Sequence, residues 1–201
     1  MAIGDPRFQK AIELIDSENA NDPNVDVSGG VRVPKELLYS KRLTEIVREI
    51  SSSPSEELLI AIRGQHICRW MIPRSDFSMD RKGYLAWREK LKKFHAEKAT
   101  GILKEAGYDA GFIECVSLLI TKKNFPNDPE SRVLEDAVTL YFLKYQFADF
   151  LKEQGEEKTV AVLKKAWNKL SPEGQKRALS LEFKKEEMDI LKKALNKEAG
   201  V

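Results

Sequence analysis

Helix punctuation recurs along the whole chain and constrains the fold more than any other feature. Asp5-Pro6 places a capping side chain ahead of a proline at the first helical position. Ser53-Pro54-Ser55-Glu56, Asp109, Asp128-Pro129-Glu130 and Ser171-Pro172-Glu173 have the same starting character, while Gly107 and Gly155 have the form of C′ residues. Between these marks apolar residues return every three or four positions, as in Leu38, Leu43, Ile46, Val47 and Ile50. The pattern predicts helices over 6–16, 34–50, 55–71, 81–106, 109–122 and 129–154, with two or three lysine-rich helices after Glu156. Val25-Asp26-Val27 and Val31-Arg32-Val33 alternate, but they are short and glycine-flanked, so no strand is predicted. The expected fold class is all-α, an irregular bundle of about eight helices. One domain over 1–201 is expected, with a core at 1–154 and a helical extension at 155–201. The segment 17–32 is too long for a mere connector and reads as a loop that covers a site.

A chain of 201 residues buries a core without disulfide or metal staples. Hydrophobic residues make up 42% and charged residues 33%, which excludes a disordered composition. With 34 basic and 32 acidic side chains the net charge is only +2, so nucleic acid is not an expected partner. Cys68 and Cys115 sit in apolar stretches without CxxC spacing and read as free, buried thiols of a reducing compartment. The N-terminal stretch MAIGDPRFQKAIELID has no apolar core, and no segment is apolar and long enough to cross a bilayer. A cytoplasmic protein without membrane partners is therefore expected. The motifs GxxxxGK[ST], GxGxxG and GxSxG are absent, which argues against the nucleotide-dependent and serine-hydrolase classes that use them.

The chain has two histidines. Leu59, Ile62, His66 and Trp70 share one helical stripe, and Tyr84, Arg88, Leu91, His95, Ala99 and Ile102 share another. Both imidazoles are thus expected to face the interior, where each needs a hydrogen-bond partner or a metal. Val133, Asp136, Leu140 and Leu143 form a third stripe, which turns Asp136 inward beside Glu135. A buried carboxylate is satisfied either by a cation such as arginine or by a metal. His66, His95 and Asp136 together would make a ligand set for a divalent metal, zinc, iron or manganese. Between Ile62 and Phe94, Arg63, Arg69, Arg74, Arg81 and Arg88 alternate with Trp70, Phe77, Tyr84 and Trp87. Guanidinium forks match phosphate and carboxylate oxygens, so this cluster points to an anionic small molecule, such as a nucleotide.

The stretches PKELLYSKRL, RGQHICRWMIPR, MDRKGYLAWREKLKKFHAE and LEDAVTLYFL resemble a bacterial and fungal family known only as a domain of unknown function. The order of His66, FHAEKATGILKEAGYDAGFIECVSLLI and RVLEDAVTLYFL is also distantly similar to the HD phosphohydrolase superfamily. That second resemblance implies an HD-like helical fold and metal-dependent hydrolysis of a phosphorylated small molecule or nucleotide. His66, His95 and Asp136 would hold the metal, and Glu135 would accept the proton of its bound water. Arg63, Arg69 and Arg74 would neutralise developing phosphate charge, with Arg88 and Lys122 as further ligand-binding residues. The adjacent His-Asp pair of the superfamily is missing, since Ile67 follows His66 and Ala96 follows His95. The helix that would offer its first histidine carries Glu36, Tyr39 and Ser40 instead. A non-catalytic protein binding an anionic metabolite on such a scaffold is the alternative reading.

Overall fold

A computed structural model describes residues 5–195. Among them are ten α-helices and a single two-stranded sheet, so the chain is predominantly helical. It divides into two compact units, Met1–Ser131 and Arg132–Val201, and the division falls inside a helix.

The first unit contains α1 (Pro6–Asn19), β1 (Val25–Ser28), β2 (Val31–Pro34), α2 (Lys35–Ile50), α3 (Glu56–Arg63), α4 (Arg81–Ala106) and α5 (Ala110–Thr121). Its helices begin where the sequence places capping side chains. Asp5 accepts from the Arg7 amide, Ser55 from Leu58, Asp80 from Gly83 and Asp109 from Phe112. Each cap is worth about 1 kcal/mol. The short α3 packs on α1, α2 and α5, and α4 packs on α1 and α5. Ile15, Leu43, Leu58, Ile62, Leu103 and Ile120 are the fully buried centre of this unit. Burial of each contributes roughly 1.5–3 kcal/mol relative to exposure.

Two expectations are corrected here. The valine pairs do form strands, an antiparallel hairpin with Val25 opposite Pro34 and Ser28 opposite Val31. Gly29 and Gly30, at φ 58° and 80°, are its turn, and positive φ at both central positions is what a two-residue hairpin requires. The glycines that argued against a strand are the reason the strand pair closes. Val27 and Val31 remain 61% and 63% exposed, so the alternation marks no core face. The third helix also stops earlier than 71. Gly64 follows its last residue, Arg63, and Cys68 adopts the left-handed conformation at φ 53°. The Cys68 amide donates to Asn19 Oδ1 at 3.1 Å, and its thiol donates to Glu18 Oε2 at 3.0 Å. These bonds turn the chain out of the helix, so His66 lies in a tight turn rather than on a helical stripe.

The second unit contains most of α6 (Pro129–Tyr141), a π-helical turn at Phe142–Gln146, α7 (Phe147–Gln154), α8 (Glu156–Trp167), α9 (Pro172–Leu179) and α10 (Lys185–Leu195). Phe147, Leu163 and Leu191 are buried where α7, α8 and α10 pack together. Of the cysteines, Cys68 is buried as expected, whereas Cys115 is exposed because it lies on the outer face of α5. No helix among the described residues is long and apolar enough to cross a membrane.

Candidate functional site

A cavity of about 130 Å³ opens in the first unit. The turn after α3 supplies Gln65, His66 and Arg69 to its wall. From α4 come Tyr84, Trp87, Arg88, Leu91, Lys92 and His95, and Lys122 comes from the end of α5. The apolar stripe of α4 explains this placement. Leu91, His95, Ala99 and Ile102 are buried, while Tyr84 and Arg88 on the same stripe run out into solvent. The cavity lies where the stripe leaves the core.

His95 is 2% exposed. Its Nδ1 lies 2.8 Å from the Ile67 carbonyl oxygen, which fixes the proton on Nδ1 because a carbonyl only accepts. Nε2 is then a lone-pair acceptor, and it has no hydrogen-bond partner among the described residues. Burial, then the nearby His66 and Arg69, push its pKa down to about 3. His66 stacks on Tyr39 with ring centroids 4.3 Å apart and planes 7° from parallel. Its ring centre is 5.8 Å from that of His95. Burial first, and then Arg69, Lys122 and Arg88, hold the His66 imidazole well below its ordinary value. Both histidines are therefore neutral at pH 7.

Behind them stands Glu36, the second residue of α2, whose amide donates to Asp22 Oδ2 at 3.0 Å. Its Oε2 is 3.4 Å from His66 Nδ1 but without hydrogen-bond alignment. Its other oxygen is 3.9 Å from Arg69 Nε. Burial pushes Glu36 up to about 7, against the opposing pull of Arg69. Asp22 and Asn19 thus brace the back of the site, while none of the residues 17–32, expected to form a covering loop, lines the cavity. Arg69 also lies over Trp87, 4.7 Å from the ring centre, and Arg88 lies 5.9 Å from that of Tyr84. Such stacking orders a guanidinium and leaves its edge for a ligand.

Cys68 and Lys122 are the non-glycine residues with positive φ among those described, at 53° and 57°. One is two positions after His66 and the other lines the cavity. Lys122 occupies the left-handed position that usually falls to glycine at a helix end. Left-handed backbone at a non-glycine costs of order 1–3 kcal/mol and tends to concentrate where a site over-determines it.

Of the residues nominated from sequence, His66, His95, Arg69, Arg88 and Lys122 meet at this cavity. Arg63 does not line it. Its guanidinium makes paired 2.6 Å bonds to Asp16 and a 3.3 Å bond to Thr44 Oγ1, which ties α1, α2 and α3 together. Arg74 donates to the backbone oxygens of Phe77, Ser78 and Asp80 and so braces the loop before α4. Asp136 is buried as its stripe predicts, but its carboxylate accepts from the amide and hydroxyl of Ser171 at the start of α9. Glu135 accepts from Lys169 Nζ at 2.9 Å. Both acidic residues are held within the second unit by ordinary structural donors. Among the described residues, no group of three or more His, Cys, Asp or Glu side chains is placed to hold a metal ion. The residues present do not fit the divalent metal inferred from sequence. His66 Nε2 has Arg69 Nη1 at 3.4 Å, and a guanidinium beside a ligand nitrogen opposes a cation. Sequence reasoning gave no site role to Gln65, Lys92 or Glu36. Lys92 was legible as the residue one turn from both Arg88 and His95, but Glu36 depends on a tertiary contact between α2 and the turn after α3.

The first unit is thus a helical scaffold around a pocket of neutral imidazoles, aromatic walls and cationic side chains. The sequence pattern of the family described as "Domain of unknown function (DUF4202)" matches residues 9–191, and the chain belongs to that family. No curated protein and no solved structure matches the chain.

Proposed function

We propose that the chain binds a small anion, a phosphoryl or carboxylate group or a metabolite that carries one, in the cavity between α4, α5 and the turn after α3. The observation that carries this reading is the convergence of Arg69, Arg88, Lys92 and Lys122 on one cavity of about 130 Å³ whose two histidines are neutral. Glu89 pairs with Lys92 and Glu36 lies near Arg69, and a bound anion would offset the cationic repulsion that these two carboxylates leave. The pocket is walled by Trp87, Tyr84 and Leu91, which lowers the local dielectric and strengthens charge-assisted bonds. A volume of several waters suits a tetrahedral oxoanion or a small carboxylate head group.

This corresponds to the non-catalytic alternative rather than to metal-dependent phosphohydrolysis. The hydrolytic reading needs a metal to generate its nucleophile, and among the described residues no three His, Cys, Asp or Glu side chains are grouped to hold one. Thermal unfolding with and without inorganic phosphate, each with and without a chelator, tests the choice. Binding predicts a phosphate-dependent rise in Tm that survives chelation and is weakened about tenfold in apparent affinity by Arg88→Gln. A stabilisation that vanishes with chelator and returns with zinc or manganese would instead restore the metal enzyme.

A further inference from the structure

Three acceptor atoms at this cavity share one condition, as does the donor Asn19 Nδ2 behind it. Glu36 Oε2, Gln65 Oε1 and His95 Nε2 are all buried, and none has a hydrogen-bond partner among the described residues. The three residues are 8%, 6% and 2% exposed. Gln65 and His95 line the cavity itself, and Glu36 touches His66 and Arg69 in its wall. His95 cannot turn acceptor into donor by changing tautomer, because that would leave two lone pairs facing at 2.8 Å from the Ile67 oxygen. Arg88, Lys92 and Lys122 bring positive charge to the same pocket, and Arg69 brings it next to Glu36 and His66.

Resting on the anion-binding reading, we infer that the pocket selects an oxoanion that also carries a hydroxyl proton, with the charged oxygens on the arginines and lysines and the O–H donated to His95 Nε2 or Gln65 Oε1. Phosphate meets this demand, because its hydrogenphosphate form keeps a P–O–H. Sulfate has the same shape and charge and carries no proton at neutral pH. A hydroxyl-bearing phosphoester meets the demand through its organic part. The basis of the selection is the cost of burying an acceptor unpaired. A ligand that lacks the donor leaves His95 and Gln65 as they are and adds a second set of lone pairs against them.

Isothermal titration of the full chain at pH 7.5, in a buffer free of other oxoanions, tests this with inorganic phosphate, sulfate, glycerol 1-phosphate and methyl phosphate. If phosphate itself is read, it binds about tenfold to a hundredfold more tightly than sulfate. If the proton comes from the organic part, glycerol 1-phosphate exceeds methyl phosphate by a similar factor. Either preference must collapse to within about threefold in His95→Phe, while binding of the less favoured anion persists. Gln65→Leu repeats the test should His95→Phe fail to fold, as circular dichroism will report. Equal affinities within both pairs overturn the selection and leave anion binding standing. No binding of any of the four overturns both.

Discussion

The two units bury carboxylates in opposite ways. In the second, Asp136 is 5% exposed and receives both the amide and the hydroxyl of Ser171, and Glu135 beside it receives Lys169. In the first, Glu36 is 8% exposed, and one of its oxygens has no hydrogen-bond donor. Acceptors on Gln65 and His95 are in the same condition. Most buried polar groups in a folded chain are satisfied within it. A cluster left unsatisfied beside cations and a cavity is therefore a place shaped for something outside the chain. The acidic doublet, nominated together with the two histidines for a single metal site, is architectural.

The largest expected effect lies in the second unit. A Cβ on Gly174 would come within 2.7 Å of the Asp136 carboxyl carbon, so the doublet is gripped by the close approach of α9. Gly174→Ala should cost about 1–3 kcal/mol by overpacking. Asp136→Ala should cost a comparable amount by orphaning the Ser171 amide. Urea unfolding checks both, and neither change should move phosphate affinity of the folded protein. A loss of phosphate binding with unaltered stability would break the comparison.

A smaller effect sharpens it through pH. The ordinary values are 4.5 for Glu36 and 6.5 for the two imidazoles. Between them the unfolded chain holds a proton on each imidazole and none on Glu36. The folded chain holds one on Glu36, whose pKa is raised to about 7, and none on His95, lowered to about 3, while burial lowers His66 in the same direction as His95. The depressed imidazoles give stability that is lost as pH falls below 6.5, and the raised carboxyl gives stability that is lost as pH rises from 4.5 toward 7. For Glu36 and His95 the two differences cancel, and the lowered His66 leaves a net rise of stability with pH. Glu36→Gln removes the opposing proton and should steepen that rise by roughly 1.4 kcal/mol per unit. Urea midpoints at pH 5 and pH 6 for both proteins measure it, and equal slopes would mean that Glu36 is not buried as a neutral acid.

Local signals in the sequence carried most of the fold. Asp5, Ser55 and Asp109 cap where capping chemistry placed them, and the α4 stripe buries His95. The hairpin escaped because its alternating segments are only four residues long and its turn glycines read as breakers, with Val25, Val27 and Val31 exposed rather than packed on a core. The end of α3 escaped because its cause is remote, residues Glu18 and Asn19 seizing Cys68. Half of the site was visible for the same reason. His66, His95, Arg69, Arg88 and Lys122 announce themselves by type. Nothing in Asp136 or Arg63 shows that Ser171 and Asp16 engage them, because pairing partners 35 and 47 residues away leave no local trace.

The protonation of the two imidazoles is the most direct test, and with only two histidines in the chain their nitrogen resonances can be assigned by a single substitution. Long-range nitrogen–proton NMR at pH 6 should show both rings neutral, with His95 protonated on Nδ1. Its Nε2 resonance should shift on saturation with inorganic phosphate and move much less with sulfate. Imidazoles that titrate near 6.5 and ignore phosphate would contradict the account.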